Sequence, residues 1–262
     1  LKNYPIGFNR LRQKITASQL LNDLETHGFS LKITPNYERI TTVIRQLSEE
    51  FVNSIEPHLI TQNVIPRPEL NEIVQSVNQT AVTLIKAEAG MGKSVVLLDL
   101  HRQLQEQNII SIPIRLDRKH PENNIDQFGQ DLGFPSSPIS CLKNFAKHQK
   151  VVILLDQLDA IRWTGSHSSN ALEICRQLVR QILSLRQEKI QISIILASRD
   201  FDAQEDAALS SWIGSLTSHL SEISISTLDE SIVSNLIKDY EVYNSLTEEK
   251  KKTLQIPLWL NI

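Results

Sequence analysis

The stretch Ala81-Val82-Thr83-Leu84-Ile85-Lys86-Ala87-Glu88-Ala89-Gly90-Met91-Gly92-Lys93-Ser94 runs from a short apolar segment through a glycine-rich loop into a helical pattern. Residues 81–87 read as a buried strand. From Ser94 to Gln107, the positions Val95, Leu97, Leu98, Leu100 and Leu104 supply the apolar side of a helix. Strand, loop and helix in this order, with Gly-Lys-Ser at the last junction, form a cradle for phosphate. Gly90 and Gly92 let the backbone curl so that successive N–H groups point inward. The helix start adds its partial positive charge. Lys93 is placed to reach the outer phosphates as a point charge, and the Ser94 hydroxyl to bind Mg²⁺. The contacts expected along the loop are Glu88, Ala89, Gly90, Met91, Gly92, Lys93, Ser94 and Val95. Ala87 stands where the usual G-x-x-x-x-G-K-[ST] pattern carries its first glycine, so the angle at which the loop leaves the strand is not set by the motif.

Downstream, Val151-Val152-Ile153-Leu154-Leu155 is an apolar run ending in Asp156. A carboxylate at such a strand end can enter the magnesium sphere. Asp159 follows in the turn above the strand, where a carboxylate orients attacking water. A second strand-like run, Ile109 to Leu116, intervenes between the loop strand and the acidic strand. A further apolar strand, Ile190 to Ala197, leads into Ser198 and Arg199, and the Arg199 guanidinium suits γ-phosphate recognition because its planar fork binds phosphate oxygens in pairs. The catalytic set is therefore Lys93, Asp156, Asp159 and Arg199, with Ser94 and Asp156 as metal ligands. Helical patterns at 123–132, 139–149 and 170–186 alternate with the strands, and 223–225 reads as a fifth strand. Such alternation predicts an α/β fold with a parallel sheet covered by helices on both faces. No Asn-Lys-x-Asp sequence is present to read guanine, so ATP or ADP is the expected ligand.

On the amino-terminal side, residues 1–62 read as a helical region. Thr16 and Gln19 make a capping box, Gly28 is a stop signal, and Thr34-Pro35 opens a helix striped by Ile40, Val43, Ile44, Leu47, Phe51 and Ile55. Asn63 to Leu70 is a proline-marked junction, and the nucleotide-binding core spans 63–228. Residues 229–262 return to helix. The first residue is Leu and the last stretch, Ile256 to Ile262, is apolar, which suggests a piece of a longer protein. Of 262 residues 40% are apolar and 22% charged, with 27 basic against 30 acidic for a net charge of −3. That balance offers no electrostatic footprint for nucleic acid or a membrane surface. No apolar run approaches a membrane span. The two cysteines, Cys141 and Cys175, are too few and too far apart for a disulfide framework or a zinc site, so a reducing, cytoplasmic setting is expected.

Taken together, Ala-Gly-Met-Gly-Lys-Ser (89–94), Leu-Leu-Asp-Gln-Leu-Asp (154–159), Ala-Ser-Arg-Asp (197–200) and Ile-Pro-Leu-Trp-Leu (256–260) resemble the STAND class of signalling P-loop ATPases, in particular its NACHT-type branch. The resemblance covers roughly residues 62–262. It implies a P-loop NTPase core followed by the start of a helical lid, with Pro257 against the base. Val64-Ile65-Pro66-Arg67-Pro68-Glu69-Leu70 is similar to the segment that leads into that core and contacts adenine, which makes Arg67 a nucleotide-binding position. It further implies a slow, Mg²⁺-dependent ATPase switch of a sensor protein, in which nucleotide exchange controls homo-oligomerisation and a ligand is sensed through domains outside this chain. The rival within the same fold is an AAA+-like motor or loader acting on nucleic acid or protein. Those ATPases carry Asp-Glu at the strand end, where this chain has Asp156-Gln157. A module that binds nucleotide without hydrolysing it is the third reading.

Overall fold

The computed structural model describes residues 37–60, 64–161, 168–237 and 240–260. The capping box at Thr16, the Gly28 stop and the Thr34-Pro35 helix start lie outside the described residues.

Five strands form one wholly parallel sheet: β1 (Val82–Ala87), β2 (Ile110–Arg115), β3 (Val151–Asp156), β4 (Ile192–Arg199) and β5 (Leu220–Ser224), in the order β2-β3-β4-β1-β5. The strands in the middle of the sheet are rich in apolar residues because helices cover both faces; β3 is buried at every position. The fifth strand lies at 220–224 and starts three residues before the Ile223-Ser224-Ile225 stretch that suggested it, because only Ile223 of its residues is buried at this edge and the rest carry no apolar pattern. β4 extends two residues past Ala197, so Ser198 and Arg199 belong to the strand.

Eleven α-helices lie among the described residues. α1 (Tyr37–Ile55) carries the expected stripe, with Ile40, Val43, Leu47, Phe51 and Ile55 buried. It shares the core of the sheet: Ile40, Val43 and Leu47 join one apolar cluster, Phe51 and Ile55 the other. A helix that precedes residue 63 thus packs with the sheet. α2 (Glu69–Gln79) starts at the proline junction and buries Leu70, Ile73 and Val77; its three-residue stripe is too short to stand out in the sequence. α3 (Lys93–Glu106) follows the glycine loop. α4 (Ile125–Asp131) is capped by Asn124, whose side chain accepts from the N–H groups of Asp126 and Gln127. α5 (Pro138–Ala146) and α6 (Ser168–Gln187) complete the crossovers. Two short helices unforeseen in the sequence, α7 (Asp200–Glu205) and α8 (Ala207–Ser215), fill the connection between β4 and β5.

The carboxy-terminal part forms α9 (Glu230–Leu236), α10 (Tyr240–Ser245) and α11 (Glu248–Leu254), then a 3₁₀ turn at Pro257–Leu260. Its small core is separate: Leu228, Val233 and Tyr243 are buried together, with Ile65 of the lead-in segment packed against them. No helix among the described residues is long and apolar enough to cross a membrane.

Candidate functional site

The sheet order brings the carboxyl ends of β1, β4 and β3 side by side, which is where open α/β sheets receive ligands. Ala87 at the end of β1 is in register with Arg199 at the end of β4. Ala87 is buried strand backbone and is not among the positive-φ residues, so its conformation needs no glycine. The turn lies later: Gly90 has φ 82° and Gly92 φ 84°, both left-handed. A cavity of about 480 Å³ opens over this loop. It is lined by Ala89, Gly90, Gly92, Lys93, Ser94 and Val95 from the loop and helix start, and by Arg67, Arg199 and Pro257 from elsewhere in the chain.

Lys93 folds back, its Nζ donating to the Ala87 carbonyl at 2.8 Å and to that of Glu88 at 3.3 Å. Burial lowers its pKa, while Asp159 and Asp156 oppose that shift. The Ser94 hydroxyl donates to Asp156 Oδ2 at 2.7 Å, so the two expected metal ligands are in contact. Asp156 is 1% exposed. Burial pushes its carboxyl up to about 6, against the Ser94 hydrogen bond, the charge of Arg115 and the Gln157 N–H. These two hard oxygens are the donor type Mg²⁺ takes. Among the described residues no group of three or more His, Cys, Asp or Glu side chains gathers as a metal site. A pair of oxygens fits a cation that completes its shell with phosphate and water.

Asp159 and Arg199, expected in separate roles, are paired. Arg199 Nε lies 3.1 Å from Asp159 Oδ2, and the Arg199 backbone N–H donates to Asp159 Oδ1 at 3.2 Å. Asp159 is buried and does not line the cavity, whereas Arg199 does. Glu88 and Met91 also fall outside the cavity lining. Met91 offers its carbonyl to Arg67 Nη2 at 2.9 Å.

Several lining residues were not legible in the sequence. Gln157 reaches the cavity with φ 63°, an unusual conformation for a residue with a Cβ, and its N–H donates to Asp156 Oδ1 at 2.9 Å. Leu59, Ile65, Leu228 and Pro257 supply apolar lining, and His58 also lines the cavity. Apolar residues in loops carry no motif, so no local signal marks them. For Gln157 a signal existed: it directly follows the strand-end carboxylate.

A parallel sheet in this order, with a glycine loop between β1 and the next helix and an acidic β3 in contact with its serine, is the P-loop NTPase fold. Solved structures agree at the level of fold. The ORC2 protein of Aeropyrum pernix, solved with ADPNP and ADP, is 13% identical and matches with a TM-score of 0.50 over 74% of this chain and 57% of that one. A Walker-type ATPase of Pyrococcus abyssi is 14% identical, with a TM-score of 0.49 over 77% of this chain and 66% of that one. Domain III of the Thermotoga maritima replication initiation protein DnaA is 13% identical, with a TM-score of 0.44 over 75% and 79%. This chain spans less than two thirds of the length of the first two. No protein-family model matches the sequence, and no curated protein does.

Proposed function

We propose that this chain is the adenine-nucleotide-binding module of an AAA+-like ATPase, with ATP or ADP held over the glycine loop. The observation that carries the reading is the 2.7 Å contact between Ser94, at the start of α3, and the buried Asp156 at the end of β3. It joins the loop that would cradle phosphate, whose Ser94 lines the cavity, to the carboxylate that would hold the metal. In the nucleotide complex Lys93 would leave the Ala87 and Glu88 carbonyls for the phosphates, and the loop N–H groups would receive phosphate oxygens. Ser94 and Asp156 would hold Mg²⁺, which when bound neutralises charge on the outer phosphates. Arg199 would turn from Asp159 toward the γ-phosphate, and the apolar end with Pro257 would take the base. Calorimetry of ATP and ADP binding tests this. Lys93→Ala removes a charge-assisted contact and should weaken both nucleotides by about 10- to 150-fold; unchanged affinity would overturn the reading.

The ORC2 likeness supports the AAA+-like form, whose members include motors and loaders. A second reading, the slow signalling switch that the NACHT resemblance implies, is favoured by one feature. Gln157 stands where the AAA+ pattern has Glu, and the second acid, Asp159, is held by Arg199. An amide cannot act as a general base, so hydrolysis would be slow and gated by release of Asp159. Turnover raised by DNA or a protein substrate supports the motor; nucleotide-dependent homo-oligomerisation without such stimulation supports the switch.

A further inference from the structure

We infer that Arg67 is a positioning residue that couples the phosphate loop to the hinge of the carboxy-terminal helices, so that filling the loop and setting that hinge are one event. The inference rests on the nucleotide-binding reading above. A loop that turns its N–H groups inward to phosphate turns carbonyls outward. Two outward carbonyls at its apex are taken by other elements. Met91 accepts from Arg67 Nη2 at 2.9 Å, and Gly90 accepts from the Leu258 N–H at 3.2 Å.

The other arm of the Arg67 fork, Nη1, donates to the Ser226 carbonyl at 2.9 Å. Ser226 lies in the link between β5 and α9. Its N–H donates to Glu69 Oε1 at 2.8 Å and its hydroxyl to the same oxygen at 2.5 Å. Both backbone polar groups of this hinge residue are therefore held by side chains of the lead-in segment. Two residues on, the Leu228 N–H donates to the Gln255 carbonyl at 2.8 Å, tying the hinge to the far end of the helical part. Arg67 and Glu69 are each less than 10% exposed, so these bonds are not interchangeable with water. A planar fork is suited to bridging two carbonyls; an ammonium is a point charge without that geometry. The path from Met91 through Arg67 to Ser226 carries loop geometry to the hinge separately from the contacts that Pro257 and Leu258 of the 3₁₀ turn make at the cavity and the loop.

Hydrogen exchange of the full chain with and without saturating ADP tests the coupling. In the wild type, ADP should slow exchange at residues 88–94 and also at 226–237. In Arg67→Ala the loop should still be protected, at higher ADP if needed. Protection of 226–237 by ADP should fall by about tenfold, the scale of one lost charge-assisted hydrogen bond. Arg67→Lys, which keeps charge and most of the volume, should fold and lose the hinge response too. Hinge protection by ADP that persists undiminished in both variants would overturn the coupling while leaving nucleotide binding intact. Absence of ADP protection at 88–94 in the wild type would instead overturn the nucleotide reading, and the coupling with it.

Discussion

Arg199 is both a cavity residue and the partner of a buried carboxylate, and these two duties make separable predictions. Toward nucleotide, a group that touches only the γ-phosphate changes ATP affinity and leaves ADP affinity alone. Arg199→Ala should therefore weaken ATP more than ADP in paired titrations; equal losses would return it to a structural role. Toward the fold, the same change leaves Asp159 with only a backbone donor. Because the guanidinium is 46% exposed, water already screens the pair, and the loss should be about 1 kcal/mol. Asp159→Asn in the Arg199→Ala background should recover part of it in denaturant unfolding, since an amide needs no counter-charge. Gln157 is a second case. Its φ of 63° is one that glycine adopts without a Cβ penalty. Gln157→Gly should stabilise the fold by up to about 1 kcal/mol, offset by the greater unfolded-state freedom of glycine. A drop in turnover alongside that gain would show that the side chain serves the reaction.

At the scale of elements, α3 and β2 are joined by His101, which is fully buried with Nδ1 2.9 Å from Ser111 Oγ, while Nε2 has no hydrogen-bond partner. Burial, with the Arg102 charge, pushes its pKa down to about 4. The folded value lies below the unfolded one, so the unfolded chain takes up the proton first. This histidine's contribution to stability is full above about pH 6.5 and is lost as pH falls toward 4, a change of about 3 kcal/mol at most. Denaturation midpoints across that range should fall less steeply for His101→Leu than for the wild type; parallel curves would refute the assignment. The loop and the 3₁₀ turn make another contact between elements. A Cβ on Gly90 would sit 2.8 Å from the Leu258 Cβ, whereas one on Gly92 would meet nothing closer than 3.8 Å. Gly90→Ala is therefore opposed by both backbone conformation and space, Gly92→Ala by conformation alone. Leu258→Gly should restore part of the ADP affinity lost in Gly90→Ala and none of that lost in Gly92→Ala. Equal rescue would mean that the turn does not bear on the loop.

For the whole molecule, the question is whether nucleotide drives an assembly or a substrate-moving cycle. The helices after Ser226 touch the loop at both ends, through Arg67 at the hinge and Leu258 at the turn. A nucleotide can shift such an equilibrium only by binding one arrangement better than the other. The isolated chain is expected to bind ADP, turn over slowly and stay monomeric by light scattering. Stable rings in ATP, or turnover raised by DNA, would favour the motor over the switch. The net charge of −3 gives no general attraction to nucleic acid, so any such stimulation would have to come from a local site.

The glycine loop between a strand and a helix, the acidic strand end and the alternation that makes the sheet parallel are all legible in the sequence. Each is written in residues that are neighbours in the chain, so periodicity and motif expose them. Short helices such as α7 and α8 escaped because so few turns give no clear period. The partnerships emerge only in the folded chain: Asp159 with Arg199, α1 against the sheet core, and Arg67 with Ser226 across 159 positions. Those depend on strand order, which sets β4 between β1 and β3 and brings β5 beside β1. Backbone hydrogen bonds hold any parallel order equally well, so the order is chosen by how helices and side chains from the whole chain pack together, and no local pattern records it.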